Sequence, residues 1–253
     1  MTESEYPKAI YLARISEKTG NYEEAIKYIE KIINMKSSDI TKEERNILQA
    51  AFKHIFSEKR SSWRTLCNVL DRESRHKKCN ILDLIKNLKI EIENEIIDLC
   101  NKLLKIIDEF LLNRASTLEA KVFYLKLKGD YNRYMIDFSD NEKKKEKIDI
   151  VMNSYNESFE YCKKLPFTND VRLGLVLNFG VFFNDILNDP KNALNITNDT
   201  YNALIKEIDN LDDKQYNIIN PIANLIKENI DNWNSSVNES NKEVNNVKIM
   251  EYA

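Results

Sequence analysis

The feature that most restricts this chain is an apolar stripe with a helical period. From Leu82 the apolar positions fall at Ile85, Leu88, Ile92, Ile96, Leu99, Leu103, Ile106 and Phe110. Steps of three and four place them along one side of an α-helix. A second stripe runs through Ile47, Leu48, Ala51, Phe52, Ile55 and Phe56, then Trp63, Leu66, Val69 and Leu70. Helices this long bury such faces by packing side by side, antiparallel across short links. Four Gly and four Pro in 253 residues are too few for the turns of an all-β fold. A content of 31% charged and 42% hydrophobic residues suits long helices with charged outer faces. The expected fold class is all-α.

Start signals divide the chain into about nine helices. Thr41 with Glu44, and Ser116 with Glu119, each fit a capping box. Asp189-Pro190 reads as a cap followed by a proline in the first turn. Asp170 and Asp212 are further cap candidates, and "SDNEKKKEK" near residue 143 is expected to contain a loop. No Gly/Ser/Pro-rich linker intervenes, which predicts one helical domain over residues 1–234. The polar residues 235–253 carry no sustained stripe and are expected to form a flexible tail.

The same residues exclude several functions. A net charge of −3 supplies no basic excess for duplex nucleic acid. Cys67, Cys79, Cys100 and Cys162 show no CxxC spacing, and His54 and His76 are the sole histidines, so neither a metal nor another cofactor is expected. The thiols read as reduced. The apolar run from Leu173 to Leu187 is interrupted by Asn178, Asn184 and Asp185, which fits a buried helix better than a membrane span. "MTESEYPKAI" lacks the regions of a signal peptide, so a cytoplasmic location is expected. No nucleophile with a base, paired acids or metal cluster is visible, and no enzymatic activity is expected. "GNYEEAIKYIEKI" looks like half of a tetratricopeptide repeat. Its Gly-x-Tyr recurs 109 residues later (129 − 20), no multiple of about 34. A helical-repeat peptide binder without phosphate dependence is thus the alternative reading.

Within "LKLKGDYNRYMIDF", Arg133 and Tyr134 follow a helical glycine, Gly129, with no charge partner beside them in sequence. Lys53 and Arg60 lie seven apart, two turns along roughly one helix face. On spacing alone, such groups are solvated or paired with nearby carboxylates. However, "EERNILQAAFKHIFSEKRSSWRTL", "KVFYLKLKGDYNRYMIDF", "RLGLVLNFGVFFNDILNDPKNAL" and "NIDNW" occur in an order and spacing that resemble the 14-3-3 family, roughly from Tyr11 to Trp233.

That resemblance implies nine antiparallel helices in a cup with an amphipathic groove, and a phosphoserine- or phosphothreonine-binding adaptor for phosphorylated client proteins. It assigns Lys53, Arg60, Arg133 and Tyr134 to a phosphate pocket, where guanidinium forks meet phosphate oxygens with charge-assisted hydrogen bonds. Asn178 and Asn229 match residues that hold the peptide backbone. Leu177, Val181, Ile222 and Leu225 match an apolar wall, with Asp185, Trp233 and Lys126 at further groove positions. A homodimer is implied through Ile15, Ser16, Ser62, Leu66 and Leu88. Asn21 and Glu91 stand where the family usually has Arg and Lys, and Glu91 is expected to face Glu24, which weakens that contact. Residues 139–150 fit the family poorly. The C-terminal tail, with its serines and glutamates, is a further candidate occupant of the groove.

Overall fold

The computed structural model describes the backbone of residues 5–75 and 79–251, and the side chains within those spans other than 79–80 and 239–251. Among the described residues there are nine principal helices and no strand. They are α1 (Glu5–Lys18), α2 (Tyr22–Met35), α3 (Lys42–Ser74), α4 (Cys79–Ile106), α5 (Leu118–Met135), α6 (Asn141–Cys162), α7 (Asp170–Val181), α8 (Pro190–Glu207) and α9 (Asp213–Glu251). A wider turn, Ile107–Leu111, extends α4, and another, Phe182–Ile186, extends α7.

Contacts divide the chain into two compact units, residues 1–116 with 131–150, and residues 117–130 with 151–253. The divisions fall just before α5, inside α5 and inside α6, and no linker composition marks them.

In the first unit, α1 ends in a Schellman motif. Gly20 takes the left-handed conformation at φ 75°, the Gly20 N–H donates to Glu17 O, and the Asn21 N–H donates to Ser16 O at 2.8 Å. The turn sends α2 back against α1. The core is built from one face of each helix, with Ala13, Ile29, Ile32, Leu48, Phe52, Ile96 and Leu103 fully buried. The Thr41–Glu44 capping box forms as the sequence predicts. Its Glu44 carboxylate is fully buried and accepts from the Tyr6 hydroxyl at 2.6 Å, the Thr41 N–H at 2.7 Å and Lys36 at 3.0 Å. One cap therefore also fastens α1 to the start of α3. Arg114 closes the end of α2, donating to Ile33 O and Lys36 O at 2.8 and 2.7 Å.

In the second unit, the early turns of α5 and the late turns of α6 join α7, α8 and α9. Tyr124, Tyr155, Phe179 and Phe182 are fully buried, beside a cluster formed by Leu173, Leu204, Ile226 and Trp233. The Asp189-Pro190 start and the Asp212 cap form as expected, Asp212 accepting from the Gln215 N–H at 2.7 Å.

Three local expectations need correction, and a fourth is narrowed. Thr117, not Ser116, accepts from the third N–H of α5, because Ser116 is held by Asp39 at 3.1 Å. Asn169, not Asp170, caps α7, accepting from the Val171 and Arg172 N–H groups. The loop expected in "SDNEKKKEK" is present but short, Ser139 and Asp140 alone: Asp140 accepts from the Lys143 N–H, and the Lys- and Glu-rich residues that follow are strong helix formers. Helix α9 continues to Glu251 through residues expected to form a flexible tail. No Gly or Pro follows Pro221 to stop it.

Candidate functional site

The four predicted phosphate-binding residues all belong to the first unit. Lys53 and Arg60 lie on α3, separated by roughly 10 Å of helix rise. Arg133 and Tyr134 lie in the last turn of α5, which tightens into a single narrow turn over Ile136–Phe138. Side chains at helical spacing on α3 meet this segment in register. Phe52 and Phe56 contact the Tyr131 ring, and Phe56 stacks on Tyr134 with centroids 4.2 Å apart. One turn on, Arg60 Nη2 lies 3.4 Å from Asp137 Oδ2, and Trp63 meets Phe138 edge-on at 5.1 Å. This register brings Arg60 and the Arg133-Tyr134 pair to neighbouring steps of one ridge.

The pair is not without partners, as its sequence surroundings suggested. The Arg133 guanidinium lies 4.9 Å from the Tyr134 ring centroid, and Tyr134 is fixed by Phe56. Lys53 is exposed and has no ion-pair partner among the described residues. Asp137 was missed from sequence, although it lies one turn beyond Arg133. Arg60 and Asp137 are both more than one-third exposed at the side chain or close to it, at 34% and 42%. Such a pair contributes only about 0–1 kcal/mol, so a dianion making paired bonds to Arg60 outcompetes it. Arg60, Arg133 and Tyr134 on this ridge, with Lys53 two turns earlier on α3, are side chains of the kind whose donors can hold a phosphoryl group.

The second unit holds the other predicted residues. Leu177 and Val181 lie one turn apart on α7, Ile222 on α9, and all three pack against the core while remaining half-buried. Leu225 is 50% exposed and follows Ile218, at 48%, and Ile222 along one face of α9. Asn229, half-buried, extends that side by another turn. These positions leave a partly open apolar surface edged by a carboxamide. Asp185, exposed, accepts from Asn184 at 2.8 Å.

Two members of the predicted set, Trp233 and Lys126, are buried. Trp233 is buried in the core, where Gly180 makes room for its ring: a Cβ on Gly180 would fall 2.7 Å from Trp233 Cη2. Lys126 is 6% exposed and lies 2.8 Å from Asp130, itself 3% exposed. Asn178 is drawn to the same carboxylate, donating to Asp130 Oδ1 at 2.7 Å.

The predicted dimer residues are in the first unit. Ile15 and Leu88 are exposed, with Tyr11 and Leu84 adding further open apolar area, while Leu66 and Ser16 are half-buried. Ser62 donates to Glu58 O of its own helix. Glu91 is exposed, whereas Glu24 already has a partner, Lys27 at 2.5 Å. The charge of Glu24 is thus partly offset within its own chain.

No described helix is long and apolar enough to cross a membrane, and no group of metal-ligating side chains occurs among the described residues. A family model described as 14-3-3 protein matches residues 12–234. Among curated proteins, the chain is 35% identical to a 14-3-3 protein homolog of Trichoderma harzianum, over 92% of this chain and 88% of that one. It is 34% identical to 14-3-3-like protein F of Nicotiana tabacum, over 92% of each. Against 14-3-3 protein 2 of Entamoeba histolytica it is 33% identical, over 91% of this chain and 96% of that one.

Proposed function

The chain belongs to the 14-3-3 family, and on that premise we propose that it is a non-catalytic, cytoplasmic adaptor for proteins phosphorylated on serine or threonine. Lys53, Arg60, Arg133 and Tyr134 take the phosphate. Asn178 and Asn229 hold the peptide backbone, and Leu177, Val181, Ile222 and Leu225 offer apolar contact. The observation that carries this reading is the in-register meeting of α3 with the end of α5, which supports a shared role for Arg60, Arg133 and Tyr134. Family membership favours it over a helical-repeat binder indifferent to phosphate.

A homodimer through the exposed Ile15 and Leu88 is part of the proposal. The Lys27–Glu24 pair supports a rim repulsion smaller than Glu24 and Glu91 alone imply. For residues 235–253 to act as a resident groove ligand, the helix that runs through Glu251 must first unwind, since the proposed site takes an extended strand. Truncation after Ser236 then tightens client-peptide binding several-fold, and unchanged affinity removes that role.

The functional reading is tested with a matched pair of Arg-x-x-Ser-x-Pro peptides, phosphorylated and unmodified, titrated by fluorescence anisotropy. The phosphopeptide is expected to bind at least about tenfold more tightly. Equal affinities overturn the reading.

A further inference from the structure

We propose that Asp130 is a positioning residue for ligand binding, one that fixes which end of the Asn178 carboxamide is offered to a peptide. The inference rests on the reading of Asn178 given above and adds to it a mechanism that the sequence did not disclose. Asp130 is almost fully buried on α5, and three side chains of the second unit converge on it. Tyr155 donates to Oδ1 at 2.5 Å, Asn178 Nδ2 donates to the same oxygen at 2.7 Å, and Lys126 donates to Oδ2 at 2.8 Å.

A carboxylate is an acceptor only, so the end of the Asn178 amide that faces it must be the NH2. The carbonyl then occupies the other arm of the amide, and it accepts no hydrogen bond among the described residues. Asn178 is half-buried, with this arm available for an incoming donor. The chemistry it selects is an N–H, such as that of an extended peptide backbone. Lys126 is the second side chain that anchors Asp130. Its ammonium holds Oδ2 in place, and the acceptor-only carboxylate is what prevents the amide from turning over.

Replacing Asp130 with asparagine inverts this logic. Lys126 would hold the new amide's carbonyl, the new NH2 would face Asn178, and Asn178 would turn to present its own NH2 outward. The test uses a phosphoserine peptide and a series in which each backbone amide flanking the phosphoserine is replaced in turn by an ester, which removes one N–H. With the full-length wild-type protein, one ester position is expected to cost about fivefold or more in affinity. Asn178→Ala should erase that position's penalty, and Asp130→Asn should reduce it below about twofold. A purely structural role for Asp130 would weaken every peptide of the series alike and leave the position-specific penalty intact. Should Asp130→Asn fail to fold, Asp130→Ala combined with Lys126→Met removes the buried pair together and is expected to lose the penalty as well.

Retention of the penalty in either Asp130 variant overturns the inference, as does a wild-type series in which no ester is penalised. Failure of wild type to bind the parent phosphopeptide overturns the functional reading itself, and the inference with it.

Discussion

Replacing Gly129 with alanine sets two effects of opposite sign against each other. In the interior of α5, alanine is better than glycine by about 0.5–1 kcal/mol, because glycine loses more backbone freedom on folding. The space, however, is taken. A Cβ at Gly129 would lie 2.4 Å from Tyr155 Cε1, 2.6 Å from Cδ1 and 3.0 Å from Cζ. Tyr155 cannot withdraw freely. It is fully buried, its hydroxyl is held by Asp130 at 2.5 Å, and its ring packs on Phe179 and Phe182 with centroids 5.3 and 5.8 Å away. Forcing a methyl into such a site costs about 1–3 kcal/mol, and pulling the hydroxyl off a carboxylate adds about 1.5–3 kcal/mol where that bond is lost. The clash wins, and Gly129→Ala is expected to destabilise by about 1–3 kcal/mol net. In a chain of this size that lowers Tm by about 2–12 °C. Thermal and urea unfolding followed by far-UV circular dichroism measure it. A variant as stable as wild type, or more so by the helix-propensity increment, would refute the argument that glycine is there to admit the Tyr155 ring.

Three further outcomes follow from the geometry. Arg60→Ala and Arg133→Ala should each abolish measurable phosphopeptide binding while shifting Tm by no more than a few degrees. A collapse of Tm would mean these guanidiniums hold the fold. Asp137→Asn removes the carboxylate 3.4 Å from Arg60 and should tighten phosphopeptide binding by up to about fivefold; weaker binding would make Asp137 a ligand contact rather than a competitor. The third outcome concerns acid. Burial pushes the Glu44 carboxyl up, but the Tyr6 hydroxyl, the Thr41 N–H and Lys36 together hold it below its ordinary 4.5. A group lowered on folding stabilises the fold above its unfolded value and loses that contribution as pH falls through the folded value. Stability should therefore drop below about pH 4.5, and Glu44→Gln should flatten that limb of the pH–stability curve; an identical limb in both proteins contradicts the assignment.

What the sequence disclosed was what is local. The stripes on α3 and α4, the Thr41–Glu44 box and the Asp189-Pro190 start depend on neighbours within a turn, and each formed as read. Where two adjacent residues had equal claims, a distant partner decided. Ser116 lost the cap of α5 to Thr117 because Asp39, 77 positions earlier, binds Ser116. The site divides in the same way. The Lys126–Asp130 spacing of four was legible and its meaning was missed, since burial of the pair rests on α6 and α7 rather than on α5 alone. Asp137 is one turn beyond Arg133, yet the partner it meets is Arg60, again 77 positions away. Trp233 matched a groove position, and what seats its ring is the absent side chain of Gly180, 53 positions away.

The central claim is that a phosphoryl group binds among Lys53, Arg60, Arg133 and Tyr134. Phosphorus NMR of a bound phosphoserine peptide, followed through a pH titration, tests it most directly. Free phosphoserine takes its second proton near pH 6, and one ammonium and two guanidiniums at contact favour the dianion. The bound phosphate is expected to titrate at least about one unit lower, with a smaller depression in any partially binding Lys53 variant. A bound phosphate that titrates as it does in free peptide would contradict the claim.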